Sequence, residues 1–543
     1  MQENNQNQTT SKNTLLRGSA WMTMGSIFSR ILGALYIIPW FAWMGSHGNI
    51  ANALTARSYN IYSLFIIIST AGIPGAIAKQ VAHYNALNEY GVGRKLFHRG
   101  IMLMLGLGVI STIAMYYFSP LLAGDDPRQI QVMQSLSAAL LLIPVMSLIR
   151  GYFQGYNDMA PAALSQFVEQ LFRVIYMLGA TYIIMKLHSS GDYVLAVTHS
   201  TFAAAVGALA GLALLIFYYY KKKSQMDYLV LNSDNAISVS TGNLFKEIVR
   251  QSIPFIIIDS GITLFQLIDQ YTFNQFMGTF VKVSTDQLDS WYALFGLNAN
   301  KLIMITISLA TAMAVTAIPL LSGAHARKNF PEITAHIDDT LELFLFVMIP
   351  SSFGMAAVAT SLYSVFYNYD ALGISVLYLS SFVAIALGLF TILAAILQGL
   401  SRNRLAILYL IVGIVIKLVL QYPLIALFKI YGPLVATGIG MSITSWLMLH
   451  HLKVRFRYSG ERTKRRFAGI VLFSVFMFIP TKLVESGLIW LMRPDGKLSY
   501  LFIFVVSVLI GATVYGYLVL KTRLADRIIG SKVAGIRRRL KIS

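Results

Sequence analysis

Apolar residues run along this chain in long uninterrupted blocks, without the two-residue alternation or one-sided helical stripe of a water-soluble fold. Windows of roughly twenty mostly uncharged residues, the length a helix needs to cross a bilayer's hydrocarbon, recur about fourteen times. They centre on Ile31, Ile68, Gly108, Leu142, Val174 and Gly207, then on Gly261, Ser308, Met348, Leu387, Val415, Gly440, Phe476 and Leu509. The pattern predicts an all-α integral membrane protein of about 14 transmembrane helices. The first window is too long for a signal-peptide core and lacks a small-residue cleavage site, so it reads as an uncleaved span.

The longest polar interruption, Lys221 to Asn243, carries turn-forming Ser, Asp, Asn and Gly and falls after the sixth window. An internal repeat accompanies it: Gln154-Gly155 recurs as Gln398-Gly399, and Arg173 recurs at the same spacing as Lys417. Two six-helix lobes related by this repeat, plus two C-terminal helices, are therefore expected. The boundaries are a tail over 1–17, an N-lobe over 18–221, a linker over 222–244 and a C-lobe over 245–452. A basic loop over 453–466, the last two helices over 467–520 and a basic tail over 521–543 complete the chain. Parallel repeats of this kind mark transporters, with a substrate site expected between the halves near midplane.

Composition agrees: 56% of the 543 residues are hydrophobic and 12% charged, with a mean hydropathy of +0.64. The net charge of +20 does not imply nucleic acid, because the basic residues lie between apolar spans instead of on one folded surface. Alternate loops are rich in Lys and Arg: Lys12 and Arg17, Arg94 to Arg99, Lys221 to Lys223, Arg327 and Lys328, Arg402 and Arg404, Lys453 to Arg466, and Arg537 to Lys541. The intervening loops carry isolated cations such as Arg57, Arg128, Lys282 and Lys429. By the positive-inside rule the rich side is cytoplasmic, and both termini lie there. The absence of cysteine excludes disulfides, thiolate nucleophiles and Cys metal sites. No Walker, HExxH, GxSxG or metal-ligand pattern occurs, so neither ATP hydrolysis nor a cofactor is expected. The drive is then a membrane potential or an ion gradient, H+ or Na+.

Ionisable residues inside spans are expensive and are site hypotheses by default. Glu169 and Arg173 stand four apart on one helix face and can pair, either for function or as helix glue. Lys417 has no acid in its own span from Leu405 to Leu427, so it must meet water, a partner helix or an anionic ligand. Arg30, within Gly25-Ser-Ile-Phe-Ser-Arg-Ile-Leu-Gly33, also lacks an acid in its span, and Lys301 follows Asn298 and Asn300. Asp259 and Asp269 in the seventh span are about 80° apart on an ideal helix and so can both reach one cavity. They balance the cations or bind a coupling ion. His199 reads as a hydrogen-bonded core histidine. Gly72-Ile-Pro-Gly75, Pro144, Pro254, Pro319 and Pro350 mark bends. The run Lys453 to Arg466 is a topology signal or an anionic-lipid contact.

The string Arg150-Gly-Tyr-Phe-Gln-Gly155, followed by Met159-Ala-Pro, Ser165-Gln, Glu169-Gln and Arg173-Val, resembles the multidrug/oligosaccharidyl-lipid/polysaccharide superfamily. Within it the chain resembles the branch holding stage V sporulation protein B and the MurJ-type lipid II flippases of Gram-positive bacteria. Gly72-Ile-Pro-Gly-Ala-Ile-Ala-Lys79 and Tyr84-Asn-Ala-Leu87 resemble the same branch. The resemblance implies a V-shaped cavity between two helical lobes, a lipid-tail groove at the last two helices, and cationic cavity residues. Arg30 matches the family's first-helix arginine, and Lys301 sits where the family has an Asp-Arg pair. The second arginine expected in helix 1 is Tyr36, and no Lys or Arg lies between Tyr59 and Ala78. Arg173 and Lys417 are candidates to replace those charges.

The expectation is a flippase, not an enzyme, moving a lipid-linked saccharide, foremost lipid II, from inner to outer leaflet by alternating access. Arg30, Arg173, Lys301 and Lys417 would receive its pyrophosphate, with Glu169, Asp259 and Asp269 balancing charge. Its partners would be that polyprenyl-pyrophosphate-linked saccharide and membrane lipids, and the chain would act as a monomer. The alternatives are a flippase for teichoic acid, capsule or exopolysaccharide units, and a cation-coupled multidrug antiporter. A membrane glycosyltransferase ranks below these, because the extracytoplasmic loops are short.

Overall fold

The computed structural model describes residues 35–70, 73–124, 126–156, 158–187, 191–234, 252–456 and 458–529, with positions 32, 33, 242, 533, 535 and 537. No strand occurs among the described residues. The chain divides into two compact units, Met1–Thr263 and Leu264–Ser543.

The first unit contains α1 (Ile37–Met44), α2 (Gly48–Thr70), α3 (Ile73–Ala86), α4 (Tyr90–Leu122), α5 (Arg128–Gly155), α6 (Ala160–Tyr182) and α7 (Tyr193–Leu231), followed by α8 (Ser252–Asp259). Its core is built from Ile77 and Val81 of α3, Leu96 and Phe97 of α4, Leu148, Tyr152 and Phe153 of α5, and Leu215 of α7. The Phe97 and Tyr152 rings stack with centroids 4.1 Å apart. In lipid, helices gain little from apolar burial against one another, so small residues that let backbones approach decide which pairs form. Gly207 does this for α6 and α7: a Cβ there would stand 2.5 Å from the Glu169 carbonyl oxygen. Gly155 closes the end of α5 on α3 in the same way, against Val81 and the Ala78 carbonyl.

The second unit begins within α9 (Gly261–Phe280). It continues through α10 (Thr285–Ala293), α11 (Asn300–Ala326), α12 (Phe330–Ala357), α13 (Ala359–Phe366), α14 (Ala371–Gly399), α15 (Asn403–Phe428) and α16 (Gly432–Phe456). It ends with α17 (Glu461–Met492), α18 (Lys497–Lys521) and α19 (Leu524–Ile529). Gly413 of α15 faces Gly440 and Thr444 of α16, and Gly432 faces Ile425, so the two helices run antiparallel through small residues. The α17 helix is tied to α12 by ions. Arg462 and Arg466 both bond the buried Glu342, and Thr463 and Tyr458 donate to Asp338. Deeper in α17, the fully buried Glu485 accepts from the backbone amide of Ser361 at 2.8 Å and its hydroxyl at 2.7 Å. That carboxylate caps the N-terminus of α13, where the chain restarts after the break following α12.

Among the described residues, ten helices are long and apolar enough to cross a membrane, or eleven when the bent pair α8 and α9 counts as one span. The count among the described residues falls short of the expected fourteen for three reasons. The run Asn403–Phe456 counts once, although it holds two antiparallel helices joined by the short turn Lys429–Tyr431. The first window lies mostly outside the described residues. The α2 helix carries Asn49, Asn52, Arg57 and Asn60, which dilute its apolar stretch.

Two expected loops are shorter than the polar sequence suggests. The segment after Lys221 stays helical through Leu231, because Lys222 pairs with Asp158 and Asp227 with Arg94, fastening the extension to the rest of the unit. Likewise α16 runs to Phe456 and α17 begins at Glu461, with Gly460 in the left-handed region at φ +66° making the turn. Replacing Gly207 by Val is expected to cost about 1–3 kcal/mol by forcing α6 and α7 apart. Gly106→Val, which enters open space on α4, serves as the control. Thermal unfolding in detergent reads both, and equal midpoints would contradict a close α6–α7 contact at Gly207.

Candidate functional site

The antiparallel pairing of α5 and α6 places Arg150 of α5 across from Ser165 of α6 and beside Glu169. Arg150 Nε donates to Ser165 Oγ at 2.7 Å, and its Nη2 donates to Glu169 Oε2 at 2.9 Å. From the other side Arg173 Nη2 donates to Glu169 Oε1 at 3.2 Å. One carboxylate is thus shared by two guanidiniums, with side chains only 15% to 18% exposed. The cluster carries a formal excess of one positive charge. Tyr59, Tyr62 and Tyr36 lie within electrostatic range of Arg173. Among the described residues, Arg173 Nε and the Tyr62 hydroxyl are buried and have no hydrogen-bond partner.

The corresponding position in the second unit is built differently. Lys417 of α15 is fully buried. Its Nζ donates to Asp269 Oδ2 of α9 at 2.8 Å and to Thr437 Oγ1 of α16 at 2.6 Å. Gln421 Nε2 donates to the other carboxylate oxygen at 2.8 Å and to Thr272 Oγ1 at 3.2 Å, and the Phe265 ring lies 5.3 Å from the ammonium. Of the three destinations open to Lys417, the structure takes the partner helix. This network is neutral and its ion pair is buried, the arrangement of a tie between helices.

The repeat explains the contrast. The residues that correspond in the second unit to Arg150 and Glu169 are Ala394 and Gly413. At Gly413, Thr444 and the Gly440 carbonyl already fill the space a side chain would need. An acid on α15 is sterically excluded, so the carboxylate for Lys417 comes from another helix.

Of the remaining candidates, Arg30 lies outside the described residues. Lys301 is half-buried in the first turn of α11. Asp259 is exposed at the end of α8 and Asp269 is buried in α9. The straight-helix angle between these two acids does not apply, because the span bends by 46° between them. Tyr176 and His199 share a hydrogen bond of 3.0 Å, the bonded histidine expected. Sequence reasoning passed over Arg150 as a partner for Glu169, since it sits near the end of one apolar window and the acid in the next. The hairpin turn signal at Tyr156 to Pro161 was the clue that they face each other. It also passed over Glu485, whose neighbour Lys482, at 2.6 Å, makes the pair look like a surface i,i+3 contact.

Comparison with known proteins gives concordant results. The family model described as polysaccharide biosynthesis protein matches residues 15–325. The lipid II flippase MurJ of Bacillus subtilis (strain 168) is 34% identical over 543 aligned residues, covering 97% of this chain and 98% of the relative. Among solved structures, the inward closed conformation of the lipid II flippase MurJ aligns with a TM-score of 0.61 at 14% identity, covering 94% of this chain and 99% of that one. An inward-facing multidrug resistance MATE transporter of the MOP superfamily aligns with a TM-score of 0.61 at 15% identity, covering 78% and 94%. These two likenesses establish the fold: a multi-pass, all-helical membrane protein.

Lys417→Met is expected to destabilise the protein by about 3–5 kcal/mol, because it leaves a buried carboxylate without its cation. The double variant Lys417→Met with Asp269→Leu should recover most of that loss. Unfolding of the purified variants in detergent checks this, and a single variant as stable as the double would remove the tie.

Proposed function

This chain belongs to the polysaccharide biosynthesis protein family, and we propose that within it the protein is a lipid II flippase, a transporter and not a catalyst. The observation that carries the reading beyond the family is the Arg150–Glu169–Arg173 cluster, an intramembrane site with one more cation than acid. A lipid-linked saccharide is held back in its leaflet by its pyrophosphate and sugars, whose passage through hydrocarbon costs tens of kcal/mol unaided. Two guanidiniums held by one carboxylate offer forked donors to phosphate oxygens. Glu169 keeps them oriented and limits their repulsion when the site is empty. Arriving phosphate restores the balance that the cluster lacks.

In this reading Arg150 joins Arg173 as a headgroup ligand, and Lys417 with Asp269 holds the second unit together while the headgroup passes by alternating access. Arg30 and Lys301 are further candidate cations for the headgroup. The Lys- and Arg-rich loops put both termini in the cytoplasm, so loading occurs from the inner leaflet. A single chain carries the whole set, and the protein works as a monomer.

Expression in cells depleted of their own lipid II flippase is expected to restore lipid II at the outer surface, read by its cleavage or labelling with an external probe. Arg150→Ala and Arg173→Ala should each lower that signal at least tenfold at unchanged protein level. Full activity in both variants would overturn the site, and rescue of only a teichoic-acid or capsule defect would overturn the substrate.

A further inference from the structure

The outward face of α4 changes character within one turn. Arg94, Lys95, His98 and Arg99 stand on adjacent positions of its first turns and, with Gly91 and Val230 of α7, line a groove of about 480 Å³. No acid lines this groove among the described residues. Asp227 of α7 bonds Arg94 at 2.9 Å and so fixes the wall without entering the groove. The His98 ring is held by a 2.9 Å bond from Nδ1 to the Arg94 carbonyl. One turn on, at the i+3 and i+4 positions from these cations, the same face becomes apolar and bare. Met102 is 74% exposed and Ile110 65%, with Leu105, Val109 and Ile113 beside them. Tyr228 and Leu231, exposed at the end of α7, stand beside Val230 on the opposite wall.

A cationic groove directly above a lipid-facing stripe sits at the height of phospholipid headgroups, and its charge selects anionic ones. We propose that the groove binds the phosphate headgroup of an anionic membrane phospholipid, one of whose acyl chains lies along α4 from Met102 to Ile113. The α7 extension past Lys221 supplies the second wall, which gives that length of helix a task. Inorganic phosphate and glycerol phosphate share the headgroup chemistry but have no chain for the stripe.

The purified full-length protein would be titrated with phosphatidylglycerol, phosphatidylcholine, glycerol phosphate and inorganic phosphate, with retained lipid read by native mass spectrometry and stability by thermal unfolding. Phosphatidylglycerol should be retained and raise the midpoint, and the other three should not. Lys95→Gln with Arg99→Gln should weaken retention about thirtyfold, the effect of two surface cations. Lys464→Gln with Arg465→Gln, which removes the same charge from exposed positions of α17, should retain the lipid. Equal loss in both double variants would overturn a discrete site in favour of diffuse attraction. Binding of glycerol phosphate as tight as that of the lipid would overturn the acyl-chain contact.

Discussion

A charge inside a bilayer needs a compensating charge or dipole within bonding distance, and the arrangement of this protein follows from how three carboxylates meet that demand. Glu169 is bonded by two arginines, Asp269 by a lysine and a glutamine, and Glu485 by a helix N-terminus and a lysine. Each joins helices that apolar contact alone would leave free to slide, because lipid solvates a leucine as well as a neighbouring helix does. Glycines complete the arrangement. Gly207 and Gly211 let α7 lie against the backbone of α6 at Ser165 and Glu169, and Gly413 and Gly440 do the same for α15 and α16.

The internal repeat shows how one scaffold yields two electrostatic outcomes. In the first unit the basic residue of the repeat shares an acid with a second arginine, and the cluster stays positive and partly exposed. In the second, the equivalent of that acid is Gly413 and the equivalent of the second arginine is Ala394. The lysine is paired one to one and sealed. Equal positions in a repeat therefore do not imply equal roles: what matters is the charge count within bonding distance, which the neighbouring helices set.

Much of this was legible in the sequence, and what was not has a physical cause. The apolar blocks reveal helices because a bilayer permits little else, and the centres at Gly108, Leu142, Val174, Gly207, Leu387 and Phe476 all fall within described helices. The Glu169–Arg173 bond was readable because four residues is a helical turn. The Lys417–Asp269 bond was not, since no local periodicity links residues on α15 and α9. The extension of α7 was hidden because Lys-Lys-Lys-Ser-Gln-Met-Asp is polar enough to resemble a loop. It is also composed of residues compatible with a helix, and two ion pairs decide the matter.

The sealed lysine also bears on energy coupling. An intramembrane aspartate is an obvious place for a mobile proton or sodium ion, and Asp269 has both carboxylate oxygens in the second unit's buried network. Yet each of those oxygens already accepts a bond, and the cation beside it is covalently tethered to α15. A coupling ion would have to displace an ammonium that cannot diffuse away, and would leave that ammonium buried without a counter-charge. The cost of that exchange sets Asp269 apart from Glu169, whose two cations outnumber it and stay partly exposed.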